Sequence, residues 1–311
     1  MLNLLEGTAN DLLFAQSVLE AVYPHHAGAR AYHAPRAPQE NPFQRLWLAQ
    51  LERQTVGFAQ IRTSSLHPQA DYPSVAVLPA FQARGVGSTL MEALETTFKG
   101  RERLQQTALF ESQTVARASL QKRGFREKMR TYTVKLQSAQ VALEPFKAAY
   151  ARALGMGLTF TSLLEFPHHA DEVARLHHRV YQAHHTFNPV PDFSLERMRE
   201  LWLGDEMNPA TLFLALEDRK PVGFAALYGE GQALELAYFG TSPEHPALEP
   251  WLSPAIVGQA LEFAAARRAV LEAEFDSLNP AAMAVLEALG VDGGEAWVTY
   301  QRAPRATRPV S

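Results

Sequence analysis

The spacing of apolar and polar residues along the chain predicts two successive sets of helices and strands. Val86, Leu90, Leu94 and Phe98 recur every four residues and therefore share one face of a helix. Strands with apolar runs flank this helix on both sides. The elements predicted for the first set are a helix over 10–22, a hairpin of strands 46–51 and 56–62, a strand over 74–77, a helix over 86–98, a strand over 107–110, a helix over 115–123 and a strand over 131–136.

The second set follows the same order as the first. The tetrapeptide Val-Gly-Phe-Ala at Val56 to Ala59 recurs at Val222 to Ala225. At the same spacing, Gly124 recurs as Gly290. The pattern predicts an α/β fold with mixed sheets in two tandem domains. Its elements are a helix over 170–180, strands over 212–216, 222–227 and 234–239, a helix over 253–267, a strand over 271–275 and a helix over 280–289.

The predicted domain boundaries follow from this repeat. The domains are expected at 1–145 and 156–302, joined by an Ala- and Gly-rich stretch over 148–157. Residues 303–311, with two prolines, are expected to be a disordered tail.

Composition narrows the possible functions. A net charge of -4 and a pI near 6.3 argue against a nucleic-acid partner. No uncharged stretch approaches the ~20 apolar residues of a membrane span, and the N-terminus lacks a basic signal region, so a cytoplasmic protein without a membrane partner is expected. The chain has no cysteine, which excludes thiolate metal sites and a cysteine nucleophile.

The segment from Val75 to Leu90 carries the informative motif. A short strand, Val75 to Val77, runs through Pro79 into a turn with Gly85 and Gly87, and the turn opens directly into the predicted helix. Such a turn directs successive backbone N–H groups toward one point at the positive end of the helix dipole. Without side chains at the two glycines, a phosphate can approach the backbone closely. The motif predicts an anion site.

Gln82-x-x-Gly85-x-Gly87 after a Val-x-Val-x-Pro strand resembles the acetyl-CoA signature of the GNAT (GCN5-related N-acetyltransferase) superfamily. The resemblance implies two tandem GNAT domains, as in the mycothiol synthase type, and acetyl-CoA as co-substrate. Val75 and Val77 would offer backbone groups to the pantetheine arm, and Val77 N–H would face the thioester carbonyl. Gln113, where the second copy has Asn279, would belong to the same site. The pyrophosphate would lie on the amides of Gln82, Ala83, Arg84, Gly85, Val86, Gly87 and Ser88.

The second copy departs from this motif. Between Glu244 and Pro250 it has prolines and glutamates and no Gly-x-Gly, so it is not expected to bind CoA. By family analogy it would pack against the first domain and shape the acceptor entrance.

Candidates for the chemistry are less specific. The tyrosine that often serves as acid in the family is replaced by Leu120 and Leu286. Asp71 and Glu111 are the candidate bases, although each could be a solvated surface carboxylate. His25 and His26 are candidates for lining the acceptor site. Adjacent histidines on a helix point in different directions, so no metal site is expected.

Two functions stay open from the sequence. One is an acetyl-CoA-dependent N-acetyltransferase acting on the amine of a small molecule or peptide. The alternative is a non-catalytic acyl-CoA sensor or scaffold, suggested by the missing tyrosine and the degenerate second copy.

Overall fold

The computed structural model of the chain describes residues 1–36, 45–98 and 101–304. The chain forms two compact units. Unit 1 comprises Met1–Lys128 and Val298–Ser311, and unit 2 comprises Met129–Trp297. Residues 305–311 of the expected disordered tail lie outside the described residues. No helix within the described ranges is long and apolar enough to cross a membrane.

Unit 1 is built on a mixed sheet with strand order β1-β2-β3-β4-β5-β12. Strands β1 to β4 pair antiparallel, and β4 pairs with β5 in parallel. Helices α1 and α3 both pack on β3 and β4. The elements are β1 (Leu2–Glu6), α1 (Leu12–Val22), α2 (Ala27–His33), β2 (Leu46–Leu51), β3 (Gln54–Thr63), β4 (Ala70–Val77), α3 (Val86–Thr97), β5 (Leu104–Phe110), α4 (Thr114–Lys122) and β12 (Ala296–Arg302).

Unit 2 has the same architecture, with strand order β6-β11-β10-β9-β8-β7. Its strands β10 and β11 are parallel, and the remaining neighbours are antiparallel. The elements are β6 (Arg126–Gln137), α5 (Glu144–Gly155), β7 (Thr159–Ser162), α6 (Ala170–His184), α7 (Leu195–Trp202), β8 (Leu212–Glu217), β9 (Lys220–Glu230), β10 (Ala233–Thr241), α8 (Glu249–Ala266), β11 (Val270–Asp276) and α9 (Pro280–Leu289).

The repeated glycines have a structural reason in both units. Gly57 on β3 lies opposite Val77, and Gly223 on β9 lies opposite Thr241. A Cβ atom at Gly57 would lie 2.7 Å from the carbonyl oxygen of Ala76, and one at Gly223 would lie 2.6 Å from Ile256 Cδ1. A side chain at Gly57 would clash with the backbone of β4, and one at Gly223 would displace the buried Ile256 side chain, so both positions favour glycine. Each unit uses such a glycine where a neighbouring strand or helix comes close.

The structure changes the expected division of the chain in two places. The strand that completes unit 1, β12, comes from the end of the chain, whereas β6 from the first half joins unit 2. The expected linker over 148–157 lies mostly within helix α5, which buries Phe146 and Ala153 and packs on α8. The boundaries at 145 and 156 remain a prediction about which segments fold together, and the observed units follow strand pairing instead.

Candidate functional site

Strands β4 and β5 of unit 1 separate shortly after they begin. Their parallel pairing is confined to Ala70 with Leu104 and Asp71 with Gln105. A cavity of about 440 Å³ lies in the region where they diverge, between β4, β5, α1, α2, α3 and α4. It is lined by Val22, Tyr23, His33, Pro73, Val75, Ala76, Val77, Gln82, Ala83, Gly85, Gly87, Ser88, Met91, Thr107, Ala108, Leu109, Ser112, Gln113, Thr114, Val115, Ala116, Ser119 and Leu120.

The backbone of β4 presents hydrogen-bonding groups to this gap. Leu78 N–H donates to the carbonyl oxygen of Val56 on β3 at 2.9 Å. Because N–H groups alternate in direction along a strand, those of Val75 and Val77 point away from β3 and toward the gap. Gln82 Nε2 donates to Val77 O at 3.0 Å. The Val77 N–H therefore faces the gap while the Val77 carbonyl is held by a side chain.

The turn after β4 forms one end of the cavity. Gly85 is the N-cap of α3 with φ of 82°, and Ala83 also has a positive φ of 58°. Within the described part of the chain, the backbone N–H groups of residues 83–88 have no hydrogen-bond acceptor. Gln82 differs, because its N–H donates to Pro79 O at 3.3 Å. Six successive amides at the positive end of α3 are thus available to an anion.

The two glycines leave this turn open. A Cβ atom built on Gly85 would have no atom within 4 Å, and one on Gly87 would meet only Val77 Cγ2 at 3.8 Å. The side chains between them point elsewhere, since Val86 is buried in the core and the guanidinium of exposed Arg84 lies 5.4 Å from the centre of the Phe81 ring. A ligand can therefore reach the amides of Arg84 and Val86 without meeting their side chains. The shape and charge of this end fit a phosphate group.

His33 forms the opposite, inner end of the cavity. Its Nε2 lies 3.0 Å from the carbonyl oxygen of Ala108 on β5, and its Nδ1 lies 3.0 Å from Ser74 Oγ on β4. Burial, reinforced by the nearby charge of Arg62, lowers the pKa of His33 to about 3. The ring is therefore neutral at pH 7. Because a carbonyl only accepts, the proton resides on Nε2, and Nδ1 accepts from the Ser74 hydroxyl.

Tyr23 lies beside His33 and points toward α4. Its ring is stacked on the imidazole at 5.6 Å, and its hydroxyl lies 3.4 Å from Gln113 Oε1. Gln113 Oε1 also accepts from Phe110 N–H at 3.1 Å, which fixes the amide. Burial raises the pKa of Tyr23, although the hydrogen bond to Gln113 opposes this effect. Tyr23 therefore keeps its proton at neutral pH.

Tyr23 and His33 were not predicted from the sequence as site residues. Near Tyr23, the sequence suggests only the neighbouring histidines as site residues. Its pattern does not predict the short helix α2 that carries His33. His33 has no motif around it, since its partners are 41 and 75 positions away. The residue type alone gives no signal for such a role.

The surroundings of Asp71 do not favour its predicted role as a base. It is fully buried, and Arg101 donates to both of its carboxylate oxygens, at 2.6 and 2.7 Å. Arg103 adds a third contact at 3.0 Å. Asp71 does not line the cavity and lies where β4 and β5 are still paired. Its role is to neutralise two arginines, because a buried carboxylate requires such partners.

Glu111, His25 and His26 lie near the cavity without lining it. Glu111 follows β5 and is half-buried, between the lining residues Leu109 and Ser112. His25 and His26 are exposed, and the His26 ring contacts Phe110 with ring centres 4.2 Å apart. Glu111 as base and the two histidines as acceptor-lining residues remain predictions.

In the corresponding turn of unit 2, most backbone amides donate hydrogen bonds within the unit. Here β10, α8, β11 and α9 stand where unit 1 has β4, α3, β5 and α4. Prolines 243, 246 and 250 have no N–H to donate. Most of the remaining amides donate within the unit, namely those of Ser242, Glu244, His245, Leu248, Glu249 and Trp251.

His184 fills the space next to this second turn. Its Nδ1 lies 3.1 Å from Asn279 Nδ2 and 3.4 Å from the Tyr238 hydroxyl, and its Nε2 lies 3.4 Å from Glu249 Oε1. Asn279 Oδ1 accepts from Ala282 N–H, so the amide must present its NH₂ group to His184. His184 thus accepts at Nδ1 and donates to the Glu249 carboxylate at the start of α8. Unit 2 thus has a carboxylate, that of Glu249, in the first turn of the helix that corresponds to α3.

Within the described residues, no group of three or more histidine or carboxylate side chains converges as metal ligands would. The site of unit 1 consists of backbone amides, an open channel between two strands, and a histidine and a tyrosine at its inner end.

Comparison with known proteins agrees with this fold. Residues 42–127 match the model of the acetyltransferase (GNAT) domain. A GCN5-related N-acetyltransferase from Sphaerobacter thermophilus aligns over 99% of this chain and 97% of its own, with 14% identity and a TM-score of 0.65. A tandem GNAT protein from the clavulanic acid biosynthesis pathway aligns over 99% and 100%, with 15% identity and a TM-score of 0.59. No curated protein matches the sequence.

A third similar structure is the glucosamine N-acetyltransferase region of a fungal multi-domain β-N-acetylglucosaminidase. It aligns over 97% of this chain and 38% of its own, with 13% identity and a TM-score of 0.65. Residues 42–127 are therefore similar to the acetyltransferase (GNAT) domain, and the whole chain is similar in fold to a tandem GNAT protein. The expected fold class is confirmed.

Proposed function

We propose that this protein is an acetyl-CoA-dependent N-acetyltransferase whose donor site lies in unit 1. One observation carries the proposal: the gap between β4 and β5 leads directly to six free amides at the N-terminus of α3. A long donor with phosphates at one end and an acyl group at the other fits this arrangement. The GNAT domain match over the same residues supports the choice of an acyl-CoA.

The donor would use the site as follows. The pyrophosphate would accept hydrogen bonds from the amides of residues 83–88, and the pantetheine arm would lie in the gap along β4. The inward-facing N–H groups of Val75 and Val77 would donate to the arm and to the thioester carbonyl. A backbone N–H fixed at that position stabilises the oxyanion that develops in acyl transfer.

The reaction requires one bond to form and one to break. The unprotonated nitrogen of the acceptor attacks the thioester carbonyl carbon, the C–S bond breaks, and the CoA thiolate leaves. Tyr23 would supply a proton to the thiolate, because its hydroxyl lies at the cavity and burial keeps it protonated. The nitrogen would lose its proton to solvent or to Glu111, the candidate base that follows β5 next to the cavity-lining residue Ser112. The acceptor is proposed to be a small-molecule or peptide amine.

Release of free CoA is the direct test. The chain has no cysteine, so a thiol reagent such as Ellman's reagent reports only the CoA produced. The protein is incubated with acetyl-CoA, alone and with a panel of amino sugars, amino acids, polyamines and peptides. We expect amine-dependent thiol release with at least one class.

Calorimetry on the same samples separates the two candidate functions. Acetyl-CoA binding together with amine-dependent release supports the acetyltransferase. Binding without release from any amine favours the non-catalytic sensor or scaffold. Absence of acetyl-CoA binding contradicts both functions.

A further inference from the structure

His33 joins strands β4 and β5 just beyond the point where their own pairing ends. The last paired residues are Asp71 and Gln105, and the His33 ring contacts Ser74 and Ala108, three residues further along each strand. The imidazole therefore spans a gap that backbone hydrogen bonds no longer close. Its two hydrogen bonds link the strands where backbone pairing has ended, and the ring closes the cavity on the side of Asp71 and Gln105.

The ring is held on several sides. Tyr23 stacks on one face with planes 8° apart, and Tyr32 contacts it edge-on with ring centres 4.9 Å apart. Both ring nitrogens are hydrogen-bonded, and the side chain is buried. A ring fixed in this way cannot swing aside without breaking two buried hydrogen bonds, each of which leaves an unpaired polar group. The inner end of the cavity is thus a rigid boundary.

His33 lies at the opposite end of the cavity from the proposed phosphate site, so it faces the acyl group of a bound donor. The free amides lie beside Val77 at one end of β4, and His33 contacts Ser74 toward the other end. A donor with its phosphates on the amides extends its acyl group toward His33, Pro73 and Thr107. The imidazole therefore limits the length of the acyl chain that the site can accept.

We infer that His33 restricts the donor to short acyl groups by closing the inner end of the cavity. This inference rests on the proposed acyl-CoA site and adds to it the class of donor. Replacing His33 by alanine removes the imidazole and extends the apolar channel between β4 and β5. Longer acyl chains would then gain buried surface that the wild-type protein does not offer.

The experiment measures the affinity of full-length protein for acetyl-CoA and butyryl-CoA by calorimetry. We expect the wild-type protein to bind butyryl-CoA no more tightly than acetyl-CoA. In His33→Ala, the butyryl-to-acetyl affinity ratio should rise by about tenfold or more, since each buried methylene contributes about 0.8 kcal/mol, or about fourfold. His33→Asn, which is also shorter, serves as a second variant if the alanine protein does not fold.

Ser74→Ala is the matched control. It removes one hydrogen bond from the same ring but leaves the imidazole in place against Ala108, so the affinity ratio should stay at the wild-type value. An unchanged ratio in the His33 variants, tighter butyryl-CoA binding by the wild type, or an equal rise in Ser74→Ala would each overturn the inference. Failure of the wild type to bind any acyl-CoA would instead overturn the proposed donor site, and the inference with it.

Discussion

Arg302 donates from Nε to the side-chain oxygen of Gln105 at 3.0 Å, although the two residues are 197 positions apart. Its Nη1 also donates to Glu95 at 2.9 Å and to the carbonyl oxygen of Arg123 at 2.8 Å. The guanidinium carbon lies 4.7 Å from the centre of the Phe125 ring. One side chain from β12 thus joins α3, β5 and the end of α4, which all contribute residues to the proposed donor site of unit 1.

Loss of this side chain should destabilise the protein strongly. Arg302→Ala removes a buried guanidinium that donates to Glu95, to Gln105 and to the carbonyl oxygen of Arg123, and we expect a decrease in the free energy of unfolding of about 3 kcal/mol or more. Arg267→Ala is the control, because Arg267 also lies over a phenylalanine ring but is exposed. Urea denaturation of both variants measures the difference. Equal small losses in the two variants would show that the Arg302 contacts do not stabilise unit 1.

A fragment of residues 1–145 should not form a working unit 1. It lacks β12, so β5 would become an exposed edge and Gln105 would lose its hydrogen bonds from Arg302. It would also carry β6, whose observed partner β11 is absent. We expect an aggregated or unfolded product by circular dichroism and size-exclusion chromatography. A monomeric fragment that binds acetyl-CoA as the full chain does would contradict this dependence.

The sequence predicts the strand, the glycine turn and the helix α3 because their order is a local feature. Gly85 and Gly87 can be interpreted from a strand, a turn and a helix that follow one another, and the structure has that order. The repeated glycines on β3 and β9 were also visible, since each unit requires the same close approach. Local patterns of this kind specify elements and the turns between them.

The remaining features depend on partners that are distant in the sequence. The sequence suggests Asp71 as a candidate base because no local pattern indicates its arginine partners, which lie 30 residues or more away. The position of His33 between β4 and β5 becomes apparent only from its hydrogen bonds with Ser74 and Ala108. The exchange of β6 and β12 between the units involves strands whose own patterns do not specify which neighbour they pair with. Pairing of this kind is determined by tertiary packing.

Replacing Tyr23 by phenylalanine should slow the acyl transfer without weakening donor binding. The hydroxyl is removed, but the ring can still stack on His33, so we expect kcat to fall by about 100-fold with little change in the acetyl-CoA Kd. Tyr32→Phe is the control, since Tyr32 is half-buried beside His33 but does not line the cavity. Steady-state kinetics and calorimetry measure the two quantities.

The leaving group provides a second readout for Tyr23. A thioester of a much more acidic thiol needs no proton as it departs, so the difference between wild type and Tyr23→Phe should become small with such a donor. A defect that is equally large with both donors would mean that Tyr23 acts by positioning the substrate and does not donate a proton.

His177→Phe should make the protein less sensitive to acid. His177 is fully buried between Trp202, Tyr238 and Phe224, and neither of its ring nitrogens has a hydrogen-bond partner among the described residues. Burial and the neighbouring His178 lower the pKa of His177 to about 3. The unfolded chain therefore binds a proton that the folded chain does not between about pH 6.5 and 3, and stability decreases as pH falls through that range.

The size of this effect can be measured by comparing stability at two pH values. At pH 5 the wild type should have lost about 2 kcal/mol through His177, relative to pH 8, whereas His177→Phe should not show this part of the loss. Phenylalanine keeps the ring contacts and removes two unpaired polar atoms, so stability at pH 8 should be equal or higher. Urea denaturation at both pH values measures the difference. The same pH dependence in wild type and variant would contradict the assignment to His177.

The last prediction concerns Gly87, the second residue of α3. Gly87→Glu places a carboxylate among the amides that should hold the pyrophosphate, which adds a steric clash and like-charge repulsion. Gly87 is a cleaner position than Gly85, because Gly85 has φ of 82° and any side chain there strains the backbone. Wild-type titrations should give one acetyl-CoA per chain, since the amides of the second turn are already bonded, and Gly87→Glu should give none.

Gly28→Glu is the matched control for this variant. Gly28 is likewise the second residue of a helix, α2, and a Cβ atom there would meet no atom within 4 Å. Both variants should keep a thermal midpoint close to that of the wild type, because neither introduces a clash within the protein. Acetyl-CoA should raise the midpoint of the wild type and of Gly28→Glu, but not of Gly87→Glu. If the midpoint of Gly87→Glu rises as much as that of the wild type, the phosphates do not lie on the α3 turn, and the proposed donor site loses its main support.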